Sequence, residues 1–368
     1  MQTNLKEQFS ALAYPTKKAE FWRFADFTAF SKENVESFLL SKKEVLGKKF
    51  SYFNFNGLPE NDFYKFELGE NSFSEFADEN LSLKRGDSCG EFEDFGKMGL
   101  LAAARADGVL ELDVGGVLQK GVLIRLANNA AFSPLALKIS VQKNASAEIY
   151  IENCVPENSF ADFVSHIELG ENAKLKISHL NNADANALLY AKHIFCLNDN
   201  SSLEFYSVQT GQSSSRCEAS FLFKGENAVL KGKAFVRNSA NCKHDFCSEQ
   251  IHKTRSCKSF LDVKNVLDNS AKAAFMGVVR ISESGELCEA KQSCKTLLLS
   301  ENAKVQASPV LEICANDVEC SHGCAVSMPE PEQVFYLNSR GLNDIQAKKL
   351  IAEAFANYSQ ALPKTEEI

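Results

Sequence analysis

The stretch from Lys143 to Leu230 decides the fold, because a short phrase recurs along it: KNASA at 143–147, ENAKL at 171–175, DNSSL at 199–203 and ENAVL at 226–230. The asparagines at positions 144, 172, 200 and 227 are spaced by 28, 28 and 27 residues. A fixed period of this length is typical of repeat architectures. Asparagine tolerates left-handed backbone angles, and its small neighbours let successive turns stack closely. We therefore expect the four asparagines at equivalent corners of stacked coils.

The segments between these turns have the pattern of short strands, as in Leu203–Val208. Strands with one turn signal per period suit the coils of a parallel β-helix. No proline occurs between Pro156 and Pro309, and proline cannot donate to a strand ladder. A β-sandwich is the alternative, but its turns recur about every 8–12 residues. The pattern predicts a mainly β fold with a parallel β-helix core over residues 105–326, and looser copies of the phrase at 268–271 and 301–305 extend it.

The repeat is flanked on both sides by regions of different character. Residues 1–95 hold 15 of the 28 phenylalanines, and we expect a mostly helical N-terminal region there. Residues 328–368 have a helical pattern. In that segment a short helix closes at Gly341, a left-handed cap. A second helix begins at Asn343, with Gln346 as its capping-box partner.

Composition excludes several classes of function. The formal net charge is -8 and the pI is about 5.5, whereas a nucleic-acid binder normally has a basic surplus. No basic run marks a membrane-surface patch, and Met1–Ser10 lacks the unbroken apolar stretch of a secretory signal. We expect a cytoplasmic protein that binds neither nucleic acid nor membrane. In that reducing compartment its 12 cysteines should be free thiols.

The motifs of common enzyme classes are missing. The sequence contains no GxxxxGK[ST] phosphate loop, no GxGxxG after a strand, no HExxH and no GxSxG. We therefore expect a protein that is not an enzyme. Two other classes remain as alternatives: a β-helix enzyme acting on carbohydrate, and a structural β-helix polymer.

The segment Cys320-Ser321-His322-Gly323-Cys324 is the first candidate site. Alternate residues of a strand share one face, so Cys320, His322 and Cys324 should project together. Thiolates and an imidazole could hold iron or zinc. The alternative is that alternating cysteine and histidine line the coil interior without binding anything.

A second group of cysteines and histidines lies at Cys242, His244 and Cys247, with His252 nearby. It could also hold a metal ion, or it could line the coil interior. The remaining histidines, at 166, 179 and 193, are expected to be structural or surface residues.

Four segments resemble the SufBD family of iron–sulfur cluster assembly proteins. They read YPTKKAEFWRF at 14–24, FMGVVR at 275–280, TLLLSENAKVQASPVLEICANDVECSHG at 296–323 and EQVFYLNSRGL at 332–342. The string LEI-x-x-x-DV-x-CSHG followed by FYL-x-SRG is specific. The two ends frame nearly the whole chain, whereas the middle matches only in pattern.

The resemblance implies a non-catalytic scaffold subunit of a cluster assembly complex. Such a subunit pairs with a SufB-like subunit through its β-helix and recruits a SufC-like ABC ATPase through its C-terminal helices. Here Tyr336, Leu337 and Leu350 would be among the contacts to the ATPase. A transient iron–sulfur cluster would assemble near the subunit interface, and no stably bound cofactor is expected.

CSHG and the short chain make the sequence similar to the SufD-like branch of the family. The resemblance implies that His322 is a candidate cluster ligand, with Cys320 a second candidate or a structural residue. Cys294 stands where SufB-like chains carry an important cysteine, which SufD-like chains generally lack. A SufB-like or self-pairing subunit that accepts sulfur on Cys294, and hence a homodimer, is therefore the alternative.

Overall fold

The computed structural model describes residues 2–16, 18–19, 22–23, 28–41, 63–68, 73–86, 92, 95–128, 130–211 and 214–356. The helices in these ranges are α1 (Gln2–Ala11), α2 (Lys32–Leu40), α3 (Gly96–Arg105), α4 (Pro331–Ser339) and α5 (Asp344–Ala356). None of them combines the length and the apolar character that a membrane span requires.

The strands form two long sheets. In chain order they are β1 (Phe63–Leu68), β2 (Phe76–Ala77), β3 (Leu81–Gly86), β4 (Val109–Val114), β5 (Gly121–Ala127), β6 (Phe132–Val141), β7 (Ser146–Val155), β8 (Phe160–Leu169), β9 (Lys174–Ala183), β10 (Leu188–Leu197), β11 (Ser202–Gly211), β12 (Ser214–Phe223), β13 (Val229–Asn238), β14 (Lys243–His252), β15 (Lys258–Leu267), β16 (Lys272–Ile281), β17 (Glu289–Leu298), β18 (Lys304–Ile313) and β19 (Glu319–Ser327). The first sheet has the order β1-β5-β7-β9-β11-β13-β15-β17-β19, and the second has the order β18-β16-β14-β12-β10-β8-β6-β4-β3-β2.

From β5 onward the chain crosses from one sheet to the other at every corner, so each coil consists of two strands and two corners. Neighbouring strands of successive coils are parallel, and Ser146 lies opposite Lys174, which lies opposite Ser202. This is a parallel β-solenoid with few flanking helices, and it confirms the predicted fold class. The 28-residue period is therefore the length of one coil.

The four asparagines of the repeat occupy equivalent corners, as predicted. Asn144, Asn172, Asn200 and Asn227 have φ values of 60°, 58°, 55° and 58°. Each precedes a strand of the first sheet, and their side chains bond in two pairs: Asn172 Nδ2 donates to Asn144 Oδ1 at 3.0 Å, and Asn227 Nδ2 donates to Asn200 Oδ1 at 3.3 Å. A left-handed residue costs least when it is glycine or asparagine, which explains why the phrase recurs.

The later copies of the phrase lie at the other corner of the coil. Asn269, with φ of 53°, and Asn302 stand between a strand of the first sheet and the next strand of the second. Asn158 and Asn186, with φ of 59° and 58°, occupy this corner in earlier coils. Both corners need the same tight turn, so sequence similarity alone does not separate them.

Stacked aromatic rings fill the interior of the middle coils. The ring centroid of Phe195 lies 5.1 Å from that of Phe221 and 5.4 Å from that of Phe205. Fully burying one such side chain is worth about 1.5–3 kcal/mol. At the corners the core residues are small, as at Ala145 and Ala173, which are 1% and 0% exposed. Small side chains there allow the backbones of successive corners to approach closely.

The described part of residues 1–95 packs along the solenoid and adds β1, β2 and β3 to its two sheets. Helix α3 covers the outer face of the second sheet, where Leu100 and Ala102 cluster with Ala136 and Val164. The division of the chain into units at 1–95, 105–326 and 328–368 stays a prediction.

The C-terminal helices have the caps that the sequence predicts. Gly341 has φ of 95° and follows α4. The Asn343 N–H donates to Gln346 Oε1 at 3.0 Å, and the Gln346 N–H donates to Asn343 Oδ1 at 2.9 Å. Helix α5 then packs Ala352 and Phe355 on the outer face of the first sheet. The hairpin is thereby fixed beside the last coils.

Candidate functional site

The candidate site lies at the open end of the solenoid, which we define as strands β18 and β19. Each is the last strand of its sheet and has one strand neighbour among the described residues. A strand edge of this kind presents unpaired backbone N–H and C=O groups. The final coil is thus a surface on which further strands can pair.

Strand β19 presents three donor side chains on one face, as its sequence predicts. Cys320 lies opposite Ala290, and His322 lies opposite Gln292. Cys324 is on the same face. In the preceding coil Ala290 and Gln292 are buried core residues, 0% and 3% exposed. His322 and Cys324 are exposed, and Cys320 is half-buried, because no further coil covers β19 in the described chain.

Cys294 lies one coil above, directly opposite Cys324. It is 1% exposed, and Asn265 Nδ2 donates to its Sγ at 3.6 Å. Burial, with a smaller contribution from the neighbouring Cys324 thiol, raises the pKa of Cys294 to about 12. Burial also raises the pKa of Cys324. Both thiols therefore keep their protons near neutral pH, which makes them weak nucleophiles until a cation displaces the protons.

Gln292 places a buried amide against the open end. Neither its Oε1 nor its Nε2 has a hydrogen-bond partner among the described residues. An unpaired buried amide costs about 1–3 kcal/mol. A polar group brought to the face of His322 by a partner or a cargo would reduce that cost.

The structure places Cys320 and His322 on one face of β19 and Cys294 on the neighbouring strand β17, opposite Cys324. Four residues of extended strand, about 13 Å, separate Cys320 from Cys324, so Cys320 and Cys294 lie too far apart to share a single ion. The structure adds Gln292, which sequence reasoning did not select. The sequence signal for the opposition of Cys294 and Cys324 is the 30-residue spacing of the two cysteines, which is the length of this coil. Thiols and an imidazole are ligands for iron and other thiophilic cations. The set is open to solvent on one side, so a bound group would take its other ligands from elsewhere.

The second sequence cluster is not assembled as expected. Cys242 lies at a corner, where its Sγ donates to the Ser239 carbonyl at 2.6 Å. His244 and His252 are fully buried at opposite ends of β14. The metal-ligand side chains next to His252 are instead Cys257 and Cys288, whose ligand atoms lie within 4.8 Å of its own and of each other. These neighbours are determined by the register between coils, which cannot be obtained from the spacing of residues in the sequence.

The middle-coil histidines are structural. His179 and His193 are buried in the core at 1% and 0% exposure, and their ring centroids are 3.9 Å apart. Burial lowers the pKa of His179 to about 3 and holds that of His193 well below its ordinary value. Both rings are therefore neutral and part of the apolar interior.

The C-terminal helices carry an exposed apolar surface. Tyr336 and Leu350 are 56% and 45% exposed, as are Phe335 at 75% and Ile345 at 80%. Leu337 is half-buried. We call these five residues the hairpin surface. Large apolar side chains exposed on two adjoining helices are a feature of interaction sites.

Comparison with known proteins identifies one family. The family model described as "SUF system FeS cluster assembly, SufBD core domain" matches residues 124–355. The chain is 30% identical over 213 residues to an iron–sulfur cluster assembly SufBD family protein of Synechocystis, covering 54% of this chain and 44% of that one. It is 28% identical over 221 residues to the iron–sulfur cluster assembly protein SufD of Escherichia coli, covering 59% and 52%.

A further relative is the iron–sulfur cluster assembly protein SufB of Bacillus subtilis. It is 23% identical over 231 residues, covering 61% of this chain and 49% of that one. The chain spans about half the length of the curated relatives it matches.

Proposed function

The chain belongs to the SufBD family of iron–sulfur cluster assembly proteins, and from this we propose that it is a SufD-like, non-catalytic scaffold subunit. In this proposal it pairs with a SufB-like subunit and binds a SufC-like ATPase in the cytoplasm. The units 1–95, 105–326 and 328–368 would be the N-terminal region, the β-helix core and the ATPase-binding segment. Neither nucleic acid nor membrane is a partner.

The open end is the observation that carries the proposal. Strands β18 and β19 offer unpaired edges, to which strands of a SufB-like subunit can be added by β-augmentation. The same end presents His322, Cys320 and Cys324 on one face, with Cys294 directly above. A nascent iron–sulfur cluster, as transient cargo, would be held between these donors and those of the partner.

The burial of Cys294 supports a scaffold role over a chemical one. Cys294 is 1% exposed, and burial raises its pKa to about 12, so neither access by a sulfur donor nor an open thiolate is provided. A cation brought in at the open end would displace the thiol proton on binding. We therefore favour Cys294 as a cargo ligand over the alternative of a SufB-like or self-pairing subunit that accepts sulfur there. Persulfide on Cys294, detected by mass spectrometry after incubation with a sulfur donor, would support the alternative instead.

Replacing His322 tests the cargo site. His322 is exposed, so His322→Ala removes an imidazole but little packing, and both folding and subunit association should survive. Anaerobic cluster formation on the purified complex should fall at least about tenfold, the lower end of what a lost supporting partner costs a metal site. The matched control is His179→Leu, in the core of an earlier coil, which should form clusters normally. Wild-type cluster formation by His322→Ala would reject His322 as a ligand.

The hairpin surface is proposed as the ATPase-binding surface. A few apolar anchors carry most of the affinity of such interfaces, at more than about 1 kcal/mol each. Tyr336→Ala combined with Leu350→Ala should therefore weaken binding of a SufC-like ATPase at least about tenfold, whereas Lys349→Ala on α5 should not. Ending the chain after Met328 should abolish binding and retain the β-rich circular dichroism. Undiminished binding by the truncated chain would place the ATPase elsewhere.

A further inference from the structure

Two columns of stacked residues run along the solenoid beside one corner. In neighbouring coils both columns change from apolar or small side chains to histidine or cysteine. The first column is the last residue of successive strands of the second sheet. In register its members are Val141, Leu169, Leu197, Phe223, His252, Ile281 and Ile313. Every member is apolar except His252, which is 0% exposed.

The second column is the residue immediately before each strand of the first sheet. Its members are Ala145, Ala173, Ser201, Ala228, Cys257 and Cys288, and each carbonyl accepts the N–H that begins the strand of the next coil. The first four members are alanine or serine. In the next two coils both are cysteine, at 0% and 1% exposure. Three ligand-type side chains thus replace apolar or small ones at one place in the core.

The three side chains are within reach of a single ion. One ligand atom each from His252, Cys257 and Cys288 lies within 4.8 Å of the other two. The chain from Ser282 to Cys288 forms the corner above Cys288, and it is longer than the four-residue corner at 142–145. Cys257 and Cys288 are 0% and 1% exposed, so both thiols are separated from solvent.

His252 is oriented as metal-binding histidines are. Its Nε2 lies 2.9 Å from the Ser259 hydroxyl oxygen, and its Nδ1 has no hydrogen-bond partner among the described residues. Histidines that bind metals usually have the second ring nitrogen fixed in this way. Stacking on Phe223, with centroids 4.2 Å apart and planes at 6°, holds the ring in place. An unpaired nitrogen in a fully buried ring is thus left beside two thiols.

Both thiols have backbone acceptors in the structure. Cys257 Sγ donates to the Gly225 carbonyl at 3.2 Å, and Cys288 Sγ donates to the Thr254 carbonyl at 3.2 Å. A cation bound between the two sulfurs would displace both thiol protons.

We propose that His252, Cys257 and Cys288 form a buried binding site for one thiophilic metal ion, of the class that includes zinc(II) and iron(II). Two thiolates and one imidazole suit the tetrahedral preference of such ions. Three protein ligands leave one position for water or another donor. The ion would link the end of β14, the corner after β14 and the corner after β16, so it fastens two successive corners to one strand. All three ligands come from this chain, and none of them is among the candidate ligands of the open end.

The two columns indicate which substitutions to test, because the earlier coils show which residues fit at each position. His252→Leu, Cys257→Ala and Cys288→Ala restore the apolar and small residues of neighbouring coils, so these variants should fold. Purified full-length chain is stripped with chelator and titrated anaerobically with zinc(II), and with cobalt(II) as a spectroscopic probe. The wild type should bind one equivalent with thiolate-to-cobalt charge-transfer absorption and a raised thermal midpoint.

Loss of a hydrogen-bond partner of a metal ligand typically lowers metal affinity by roughly 10–100-fold, and Ser259→Ala should lower the affinity by this amount. Each ligand variant should lower the affinity by more. Two controls should bind as the wild type does: Cys217→Ala and His179→Leu, which remove a buried thiol and a buried imidazole from the core of earlier coils. If the variant carrying all three substitutions binds the ion with wild-type affinity and absorption, the proposal is wrong. Failure of the wild type to bind either ion would refute it equally.

Discussion

Acid should destabilise this protein through its buried histidines, and His179 allows the effect to be calculated. His179 is 1% exposed, and burial lowers its pKa from 6.5 to about 3. The unfolded chain therefore binds the proton first, and stability is lost as the pH falls from about 6.5 towards 3. At pH 5, which is 1.5 units below the unfolded pKa, the loss for this one residue is about 2 kcal/mol, since one unit corresponds to about 1.4 kcal/mol.

The assay is urea unfolding followed by circular dichroism at pH 7 and pH 5. The difference in unfolding free energy between the two pH values should be about 2 kcal/mol smaller in His179→Leu than in the wild type. The matched control is Phe205→Leu, since the Phe205 ring lies 5.8 Å from that of His179 and does not titrate. This control should lower stability equally at both pH values. Equal pH dependence in His179→Leu and the wild type would refute the calculation.

Three further substitutions test the fold. Asn200→Val should lower the free energy of unfolding by the ~1–3 kcal/mol that a left-handed bulky residue costs, which a lower thermal midpoint would show, whereas Asn200→Gly should leave the midpoint nearly unchanged. Equal effects of the two substitutions would contradict the corner assignment. Arg216→Met should lower the free energy of unfolding, measured in urea, by about 3–5 kcal/mol, because Arg216 is 1% exposed and its Nε donates to Glu218 at 2.7 Å. Adding Glu218→Gln should recover part of the loss. Gly277→Ala should lower the free energy of unfolding by about 1–3 kcal/mol, because a Cβ there would lie 1.4 Å from Nε2 of Gln292 and 2.6 Å from Cζ of Phe275. Combining it with Gln292→Ala should recover part of the loss, since only the contact with Phe275 then remains.

The sequence predicts the solenoid because each coil must repeat the same backbone requirement. A left-handed corner selects asparagine, and the corner phrase at Asn144 therefore recurs at Asn172 with a spacing of one coil. The capping box of Asn343 and Gln346 is equally local, and it forms as predicted. Local conformational rules were sufficient for these features.

Neighbours across coils were harder to predict, because coil length changes along the chain. Lys174 lies 28 residues from Ser202 in register, whereas Lys258 lies 31 residues from Glu289. Sequence spacing therefore grouped His252 with Cys242 and His244 instead of with Cys257 and Cys288. At the open end the pattern within β19 was sufficient to place Cys320 and His322 on one face. The opposition of Cys294 and Cys324 required the register of the last coil.

The central claim is that this chain is a SufD-like scaffold subunit of a cluster assembly complex, and its composition in the source cell tests that claim most directly. Affinity-tagged full-length chain would be purified anaerobically from those cells and its partners quantified by native mass spectrometry. We predict a complex containing a SufB-like subunit and a SufC-like ATPase, with the ATPase lost from the Tyr336→Ala and Leu350→Ala double variant. Recovery of the chain alone, or only with copies of itself, would contradict the account.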